Sequence, residues 1–464
     1  MKFDYVVIGS GPSVYRFLLG MQNSGKKIAV VEKNRFGGIC PNEGCEPKIF
    51  LEGAARATLT SMRLQGKGIT QPAKLDWKEL IQQKNKAMAS FLNNMQSMYE
   101  GLGATTIKGE ASFVDQHTIE VNNKKITADN FVIATGKKPH PLNIPGHEYL
   151  LTSTNLFELE DTPKNVAIIG SGYVGMEFAT LLSAAGVKVT VIVRSGQPLE
   201  GFYSQHVHQL VDEMKNSLGI NFIFNTNVTA VTEAQTGYEV QSANGNLGTF
   251  DKVINASGRV PEINALKLDN AGVEYSNRGI KVDKYLTTSA NNIYAMGDIV
   301  DKTAPALTST AQFEADYLSA LLTNKTTEPL RYPVIGTVTF TFPQLAQAGI
   351  SIDKAKEDSN YSIKDIDITQ GDFFYAGTDD HARLSLVFDK QNHLVGAAEI
   401  SQTAVDDINA LIPVMAIDVD PEVWKEKMIM HLLRINYNGH ICGLPYDPLL
   451  STDRSLLLRM QIVS

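Results

Sequence analysis

Cysteine and tryptophan are scarce in this chain of 464 residues, which has three cysteines and two tryptophans. Three cysteines are too few for a framework of disulfides, and in a reducing compartment a close pair is more often catalytic than structural. Basic blocks of five or more residues are missing, and 42 lysines and arginines against 50 acidic residues leave a net charge of −8. We therefore expect no nucleic acid partner.

Long apolar segments are missing as well. No apolar run reaches the length of a membrane span, so we expect no membrane association. Met1 leads directly into the apolar stretch Phe3–Ile8 without a basic region or a cleavage site, which favours a cytoplasmic location. The length exceeds one ordinary hydrophobic core, and 43% hydrophobic with 20% charged residues is typical of a folded multidomain protein.

One pattern of elements occurs twice. Each copy is predicted as a strand, a glycine-rich turn, a helix and a second strand, which is the βαβ unit that binds a dinucleotide. The first copy comprises Phe3–Ile8, the turn Gly9–Val14, a helix to Met21 and Ile28–Val31, and the second comprises Asn165–Ile169, the turn Gly170–Gly175, a helix through Ala185 and Val187–Val193. The duplication predicts two bound dinucleotides.

Further elements lie between and after the two copies. The spacing predicts a helix over Asp76–Tyr99 and a small antiparallel sheet over Thr105–Ile126. Beyond Pro333 the composition changes, and the chain is predicted to form a separate α+β domain. Its strands are predicted at Val334–Phe342, Ala382–Phe388 and Leu394–Ile400, and its helices at Ala404–Ile417 and Glu422–Leu433.

The first turn has the residues that a pyrophosphate site needs. Gly9 and Gly11 let the backbone turn tightly, so that N–H groups at the start of a helix face the phosphates. The third position is Val14 instead of Gly or Ala, which predicts a helix that tilts or lies further from the strand. Glu32 ends the second strand at the spacing of a carboxylate that binds a ribose hydroxyl, so this turn is predicted to bind a nucleotide.

The second turn has all three glycines, Gly170, Gly172 and Gly175. Its second strand is followed by Arg194 instead of an acid, and an arginine there accepts the 2′-phosphate of NADPH. The pattern therefore favours NADPH over NADH. Glu200 would repel that phosphate, and a surface arginine without a ligand is the alternative interpretation of Arg194.

Cys40 and Cys45 form the close pair of cysteines. Five residues of ideal helix rise about 7.5 Å, too far for a disulfide, so the first turn must be distorted for the pair to close. Pro41 and Gly44 permit this distortion. Unpaired N–H groups and the helix dipole stabilise a thiolate at a helix start and lower its pKa, so we expect Cys45 to be reactive.

The surrounding segment, Gly37-Gly38-Ile39-Cys40-x-x-x-x-Cys45-x-Pro47-Lys48, resembles the redox motif of the class I pyridine nucleotide-disulfide oxidoreductases, the family of glutathione reductase and dihydrolipoamide dehydrogenase. Further matches follow in family order: Gly109-x-Ala111-x-Phe113, Ala134-Thr135-Gly136, Gly170 to Glu177, Ala256-Ser257-Gly258-Arg259-x-Pro261 and Ala295-x-Gly297-Asp298. These motifs cover roughly residues 1–345. The last domain matches in position and length, with Phe340–Pro343 as its best anchor.

The resemblance implies a set of residue roles. The FAD contacts would be Gly9, Gly11, Pro12, Ser13, Glu32 at the adenosine ribose, Lys48, Ala111, Gly136, Asp298 at the ribityl chain and Ala306. The NAD(P) contacts would be Gly170, Gly172, Val174, Gly175, Glu177, Arg194 and Gly258. Cys45 would stack on the isoalloxazine, and Cys40 would attack the substrate. Lys48 would lie near flavin N5 and pair with Glu177, and Tyr173 would gate the nicotinamide pocket. No metal site is expected.

The sequence departs from the family pattern near its C-terminus. Family members carry His-Pro-Thr-x-x-Glu there, and its His, donated across the dimer, is the acid/base for the outer thiol. The His position falls on Leu433, with His431 and His440 as nearby candidates. Cys442 is solitary, so we expect a structural role.

Glutathione also loses support as a substrate. The family's glutathione-binding arginines align with Leu19 and Gly20, and its tyrosine aligns with Met95. Ile39 replaces a family Thr beside the flavin, which removes one hydroxyl contact without threatening the fold.

We expect an α/β fold with two Rossmann-like dinucleotide-binding domains and a C-terminal α+β dimerisation domain. The FAD domain is expected at 1–150 and 270–330, the NAD(P) domain at 151–269 and the dimerisation domain at 331–464, in a homodimer. Electrons are expected to pass from NADPH or NADH to FAD, to the Cys40–Cys45 disulfide and then to a disulfide or a related small acceptor. A metal-ion or quinone reductase and a redox-responsive sensor or binding protein are the alternatives.

Overall fold

The structure, a computed structural model, describes residues 2–369 and 378–417. Contacts divide the described chain into two units. The first unit comprises residues 2–200 and 214–332, and the second comprises residues 201–213, 333–369 and 378–417. None of the helices in these described ranges combines the length and the apolar character needed to cross a membrane.

The first unit begins with the first predicted βαβ copy and a long excursion of helices and strands. Its elements are β1 (Lys2–Ile8), α1 (Pro12–Met21), β2 (Ile28–Glu32), α2 (Ile39–Glu43), α3 (Cys45–Arg63), α4 (Trp77–Gly101), β3 (Thr105–Lys108), β4 (Ala111–Asp115), β5 (Thr118–Val121), β6 (Lys124–Ile133), β7 (Lys137–Pro139), β8 (Leu150–Leu151) and α5 (Ser153–Glu158). The predicted helix over Asp76–Tyr99 is α4, and Asp76 caps it by accepting a hydrogen bond from the Glu79 N–H.

The first sheet has the order β3-β2-β1-β6-β5-β4, and Ile293–Ala295 pairs with β6. β1 is parallel to both β2 and β6, which confirms the first βαβ unit. β2 is buried on both faces, because Ile28 and Val30 pack in one hydrophobic cluster and Ala29 and Val31 in another. Two covered faces are what a parallel sheet requires.

The prediction of one antiparallel sheet over residues 105–126 is wrong at its first strand. β4, β5 and β6 are antiparallel as expected. β3 instead pairs in parallel with β2, with Thr105 opposite Ala29. The long helix α4 in the connection explains this difference, because a crossover through a helix returns the chain in the same direction.

The second βαβ copy follows, and residues 204–213 of its helix α7 belong to the second unit. The elements are β9 (Asn165–Ile169), α6 (Tyr173–Ala184), β10 (Lys188–Ile192), α7 (Ser204–Leu218), β11 (Asn221–Ile223), β12 (Val228–Glu233), β13 (Tyr238–Ser242), β14 (Gly245–Phe250), β15 (Lys252–Asn255), β16 (Arg259–Pro261), β17 (Tyr275–Ser276), β18 (Gly279–Ile280), β19 (Ile293–Ala295) and α8 (Thr308–Leu322). A parallel sheet has the order β11-β10-β9-β15-β8, which confirms a second Rossmann-like core.

Helix α4 is anchored to the chain around the end of α5 by two side chains. The Trp77 indole Nε1–H donates to the Leu159 carbonyl oxygen at 2.7 Å. The buried Lys84 ammonium donates to the Phe157 carbonyl oxygen at 2.6 Å, and burial lowers the pKa of Lys84. These bonds satisfy carbonyl groups where α5 ends.

The second unit contains an antiparallel sheet covered by a helix, which agrees with the predicted α+β character. Its elements from residue 333 onward are β20 (Gly336–Thr339), β21 (Gln344–Gly349), α9 (Ile352–Lys356), β22 (Ser362–Asp367), β23 (Arg383–Phe388), β24 (Leu394–Ser401) and α10 (Ala404–Ala416), with the sheet order β20-β21-β24-β23-β22. Leu411 of α10 packs in one cluster with Leu384 and Leu386 of β23. The predicted helix Glu422–Leu433 lies outside the described residues, as do His431, His440 and Cys442.

Candidate active site

The first glycine of each nucleotide turn is fixed by its surroundings. Gly9 has a φ of 106° and Gly170 a φ of 108°. A Cβ on Gly9 would lie 2.3 Å from the Ala134 carbonyl oxygen, and a Cβ on Gly170 would lie 2.3 Å from that of Ala256. Both positions therefore demand glycine for conformation and for space.

The second glycine of each turn opens onto free space. A Cβ on Gly11 or on Gly172 would meet no heavy atom within 4 Å, and each of these residues directly precedes its helix. Backbone N–H groups at the two helix starts are thus accessible to phosphate oxygens. The first helix starts at Pro12, and the next residue, Ser13, is buried. The second helix starts at Tyr173, which is 38% exposed, and the next residue, Val174, is half-buried.

The third positions differ. Val14, the third residue of α1, is fully buried in the hydrophobic core. A Cβ on Gly175, in contrast, would lie 2.1 Å from the Gly170 carbonyl oxygen. The second helix therefore approaches its turn more closely than a larger side chain allows, and the first copy accommodates valine.

The Glu32 carboxylate is buried and held by two hydrogen bonds. It accepts from Ser10 Oγ at 2.7 Å and from the Asn34 N–H at 2.7 Å. Ser10 Oγ in turn accepts from the Gly37 N–H at 3.1 Å, and the Tyr99 hydroxyl donates to the Ser10 carbonyl oxygen at 2.6 Å. Ser10 is a residue that the sequence did not single out. Its hydroxyl connects the turn, the strand-end acid and the approach to the redox motif.

The redox motif lies on two helices and not on one. α2 contains Cys40 and ends at Glu43, Gly44 takes φ −140° and ψ −111°, and α3 starts at Cys45. This break confirms the predicted distortion between the two cysteines. Upstream, Gly38 contacts the first nucleotide turn, because a Cβ on it would lie 2.6 Å from the Gly11 Cα atom.

Both cysteines are half-buried thiols in this structure, and they share a hydrogen bond. That bond lowers the pKa of Cys45 to about 6 against the opposing effect of burial, with support from the Thr308 hydroxyl and the Lys48 charge. The same bond, together with burial, raises the pKa of Cys40. Cys45 is therefore the thiolate at neutral pH and Cys40 the hydrogen-bond donor.

Two side chains far away in the sequence meet the redox helix. Lys48 Nζ lies 3.1 Å from Glu177 Oε1, and both side chains are largely buried, so the structure brings together the predicted pair. Thr308, the first residue of α8, places its Oγ1 atom 3.6 Å from Cys45 Sγ. The Lys48 ammonium, paired with the Glu177 carboxylate, thus contributes to the lowered pKa of Cys45.

Asp298 lies in a short 3₁₀ turn, Gly297–Ile299, that a buried carboxylate supports. Glu314 Oε2 accepts from the Gly297 N–H at 2.6 Å. The other oxygen of Glu314 accepts from Lys302 Nζ and from the Tyr332 hydroxyl. Glu314 has no exposed surface, and it fixes the backbone that carries Asp298.

A cationic cavity of about 270 Å³ opens beside this turn. Its lining residues are Lys137, Arg259, Pro261, Asn277, Arg278, Val300, Lys302, Ala304 and Ala306. Arg259 Nη2 donates to the Lys137 carbonyl oxygen at 2.6 Å, and burial lowers the pKa of this arginine. Cations that line a half-open cavity suit the phosphate and polyol groups of a dinucleotide.

The remaining predicted residues are dispersed around the two turns. Ala111 is buried in β4. Gly136 and Gly258 have φ values of 65° and 121°, and a Cβ on either residue would meet no heavy atom within 4 Å. Arg194 is exposed after β10, and Met95, at the position of the glutathione tyrosine, is 5% exposed in the core.

The family model for pyridine nucleotide-disulphide oxidoreductases matches residues 3–315. The chain belongs to this family. A glutathione reductase of Nostoc sp. is 30% identical over 431 residues, which are 89% of this chain and 93% of that enzyme. A mercuric reductase of Bacillus cereus is 32% identical over 373 residues, 78% of this chain, and the chain spans only 58% of that enzyme.

A solved structure of the HOCl-induced flavoprotein disulfide reductase RclA from Escherichia coli has the same fold. Its TM-score is 0.85 at 23% identity, and the match covers 95% of this chain and 100% of that one. This oxidoreductase is therefore FAD-dependent by family. The open first turn, the buried Glu32 carboxylate and the supported Asp298 turn fit that cofactor.

Proposed function

We propose that this oxidoreductase passes two electrons from NAD(P)H, with NADPH preferred, to the Cys40–Cys45 disulfide and on to a disulfide or related small acceptor, as a cytoplasmic homodimer. The observation that carries the proposal is the hydrogen-bonded thiol pair with Lys48, Glu177 and Thr308 around Cys45. Bound FAD supplies the two-electron link between the nicotinamide and the disulfide.

Residues of the chain itself would hold FAD, stabilise charge beside it and cover the nicotinamide pocket. Glu32 and Asp298 would hold the two ends of FAD, and the N–H groups after Gly11 would face its phosphates. Lys48, paired with Glu177, would stabilise negative charge on the flavin, and it lowers the pKa of Cys45. Tyr173, exposed at the start of α6, would cover the nicotinamide pocket until the coenzyme displaces it.

Cys40 is proposed as the attacking thiol. Its proton goes to the departing thiolate of the acceptor, and Cys45 then closes the disulfide. Among the described residues, the main groups that act on the two thiols are the thiols themselves, Thr308, Lys48 and Glu46. No histidine is among these groups. This favours slow reduction of substrates with a poor thiol leaving group, such as glutathione disulfide and lipoamide.

The preference for NADPH rests on Arg194. Its side chain is exposed after β10, at the position where an acid would bind the free ribose of NADH. A guanidinium binds a phosphate through charge-assisted hydrogen bonds.

A metal ion or a quinone is the second candidate acceptor. The absence of histidine from the main groups that act on the thiols, among the described residues, favours it, because such acceptors take electrons without a thiol leaving group. One of the relatives with 32% identity is a mercuric reductase. A redox-responsive sensor, the third alternative, predicts negligible turnover with every acceptor.

An anaerobic acceptor screen with NADH and NADPH tests the proposal. The acceptors are glutathione disulfide, lipoamide, 2-hydroxyethyl disulfide, a mercuric salt and a quinone. We expect turnover of at least one disulfide that is lost in both Cys40→Ser and Cys45→Ser. Long-wavelength absorbance of a thiolate beside oxidised flavin should persist in Cys40→Ser and vanish in Cys45→Ser; the reverse pattern would exchange the two assignments, and turnover that survives both substitutions would refute the thiol route.

A further inference from the structure

Glu46 places a negative charge inside the redox motif, between Cys45 and Pro47. It is the second residue of α3, and its side chain is exposed, whereas both cysteines are half-buried. The hydrogen bond between the thiols has the largest effect on both pKa values. The Glu46 charge also acts on both thiols, and it raises the pKa of Cys40 and of Cys45. Because Glu46 directly follows Cys45 at the start of α3, its exposed carboxylate lies beside the half-buried thiol pair.

The neighbouring cations do not cancel this charge at the surface. Lys48 is 16% exposed and bound to Glu177 at 3.1 Å. Arg259 is half-buried and donates to the Lys137 carbonyl oxygen. Among the charged groups of the described residues that act on Cys45, Glu46 is thus the exposed one, and a molecule approaching the thiols from solvent meets its field.

We propose that Glu46 makes the redox pair select its acceptors by charge, with neutral and cationic disulfides favoured over anionic ones. The inference rests on the proposed function, in which Cys40 attacks a disulfide. An exposed carboxylate next to a thiolate repels an anionic acceptor and attracts a cationic one, and mobile salt weakens both effects.

The step that carries the selection is thiol-disulfide exchange. Cys40 passes its proton to the Cys45 thiolate and its sulfur attacks one acceptor sulfur, the acceptor S–S bond breaks, and the first product thiol leaves with that proton from Cys45. Cys45 then attacks Cys40 Sγ, the mixed disulfide breaks, and the second product thiol leaves with a proton from solvent. Two electrons pass from the cysteines to the acceptor, and NAD(P)H restores them. Both transfers occur while acceptor groups lie beside Glu46.

Three disulfides of similar size test the selection in turnover, namely 3,3′-dithiodipropionate with two negative charges, neutral 2-hydroxyethyl disulfide and cystamine with two positive charges. We expect kcat/KM at low salt to rise about tenfold from the anion to the cation. Glu46→Gln should reduce this span to about threefold or less, and so should about 0.5 M salt in the wild type. Glu233→Gln, which removes an exposed charge on β12, is the matched control and should keep the full span.

Alkylation of the reduced chain without nicotinamide gives an independent measurement. The rates at Cys45 and at Cys40 are each compared for anionic iodoacetate and neutral iodoacetamide by mass spectrometry of the labelled peptide. We expect Glu46→Gln to raise the iodoacetate rate relative to iodoacetamide by about threefold, with no change in Glu233→Gln. Ratios that are the same in the wild type and Glu46→Gln would overturn the inference. A ratio that responds to Glu46→Gln while none of the three disulfides is reduced leaves the charge effect in place and overturns the proposed function.

Discussion

The two nucleotide turns of this oxidoreductase begin alike and end differently. Gly9 and Gly170 have φ values of 106° and 108°, and a Cβ on either would strike a carbonyl oxygen at 2.3 Å. At the third position, Val14 is fully buried, whereas a Cβ on Gly175 would strike the carbonyl oxygen of its own turn at 2.1 Å. The tight first bend is thus a shared requirement, and each copy sets the approach of its helix separately.

The residues at the end of the second strand of each copy, Glu32 and Arg194, also differ strongly. Glu32 is buried and accepts two hydrogen bonds, so its position is fixed before any ligand binds. Arg194 is exposed. In the proposed function, the first site holds the resident cofactor FAD, and the second binds a coenzyme that must leave after each turnover.

The largest effect is expected when valine, the third-position residue of the first turn, replaces Gly175 at the third position of the second turn. In Gly175→Val the side chain overlaps the Gly170 carbonyl group, so α6 must shift away from the phosphates. We expect kcat/KM for NADPH to fall at least about 100-fold, since displacement by about 1 Å costs that much. Flavin content, measured by absorbance, should stay at the wild-type level. Loss of flavin together with NADPH turnover would show that the two turns do not respond independently.

The next effect concerns the preformed first site. Glu32→Gln removes the charge that holds Ser10 and the Asn34 N–H. We expect the Kd for FAD, measured by fluorescence titration of the apoprotein, to rise about 10- to 100-fold, because hydrogen bonds to a charged group are worth about 1.5–3 kcal/mol. Glu233→Gln serves as the control with the same change of charge. An unchanged Kd in Glu32→Gln would remove this residue from the FAD site.

A smaller effect is expected at the open strand end. Arg194→Ala should lower the ratio of kcat/KM for NADPH over NADH about tenfold, the value of one charge-assisted hydrogen bond. NADH is the internal control, because it lacks the 2′-phosphate. If NADH is used equally well or better by the wild type, and Arg194→Ala leaves the ratio unchanged, the arginine does not bind that phosphate.

The smallest effect tests the ion pair between Lys48 of the redox helix α3 and Glu177 of the second copy. The pKa of Cys45 is lowered to about 6 by the hydrogen bond with Cys40 and, further down, by Lys48. Lys48→Met should raise that pKa and slow iodoacetamide alkylation of Cys45 about fivefold at pH 6. A profile that coincides with the wild type would show that Lys48 does not act on the thiol.

The same thiol couples stability to pH in the reduced chain. Its folded pKa lies below its unfolded value, so its contribution to the free energy of unfolding is fully present above the ordinary thiol pKa and is lost as the pH falls through about 6. Chemical denaturation of the reduced chain between pH 5 and pH 9, compared with Cys45→Ser, measures this contribution.

Local signals make much of the site predictable. Both turns can be recognised because a positive φ and a blocked Cβ leave glycine as the residue at Gly9 and Gly170. The two cysteines are recognised by their spacing, and the break at Gly44 follows from the same spacing. The domain boundaries and the roles of the site residues stay predictions.

The features that could not be predicted from the sequence depend on partners far away along the chain. Thr308 is 263 positions from Cys45, and nothing local distinguishes it from other threonines at helix starts. Glu314 supports the Asp298 turn from the middle of a helix, where a glutamate ordinarily indicates a solvated face. β21 escapes prediction because Gln344–Gly349 contains no β-branched or aromatic residue, so its burial comes from the sheet around it.

Trp77 gives the chain an optical reporter of its own folding. Its ring is 5% exposed and its N–H is bonded to Leu159, so its emission in the native state is that of a buried indole. The other tryptophan, Trp424, lies outside the described residues. In Trp424→Phe the fluorescence comes from Trp77 alone, and a red shift during unfolding then marks the moment at which α4 separates from the chain that follows α5.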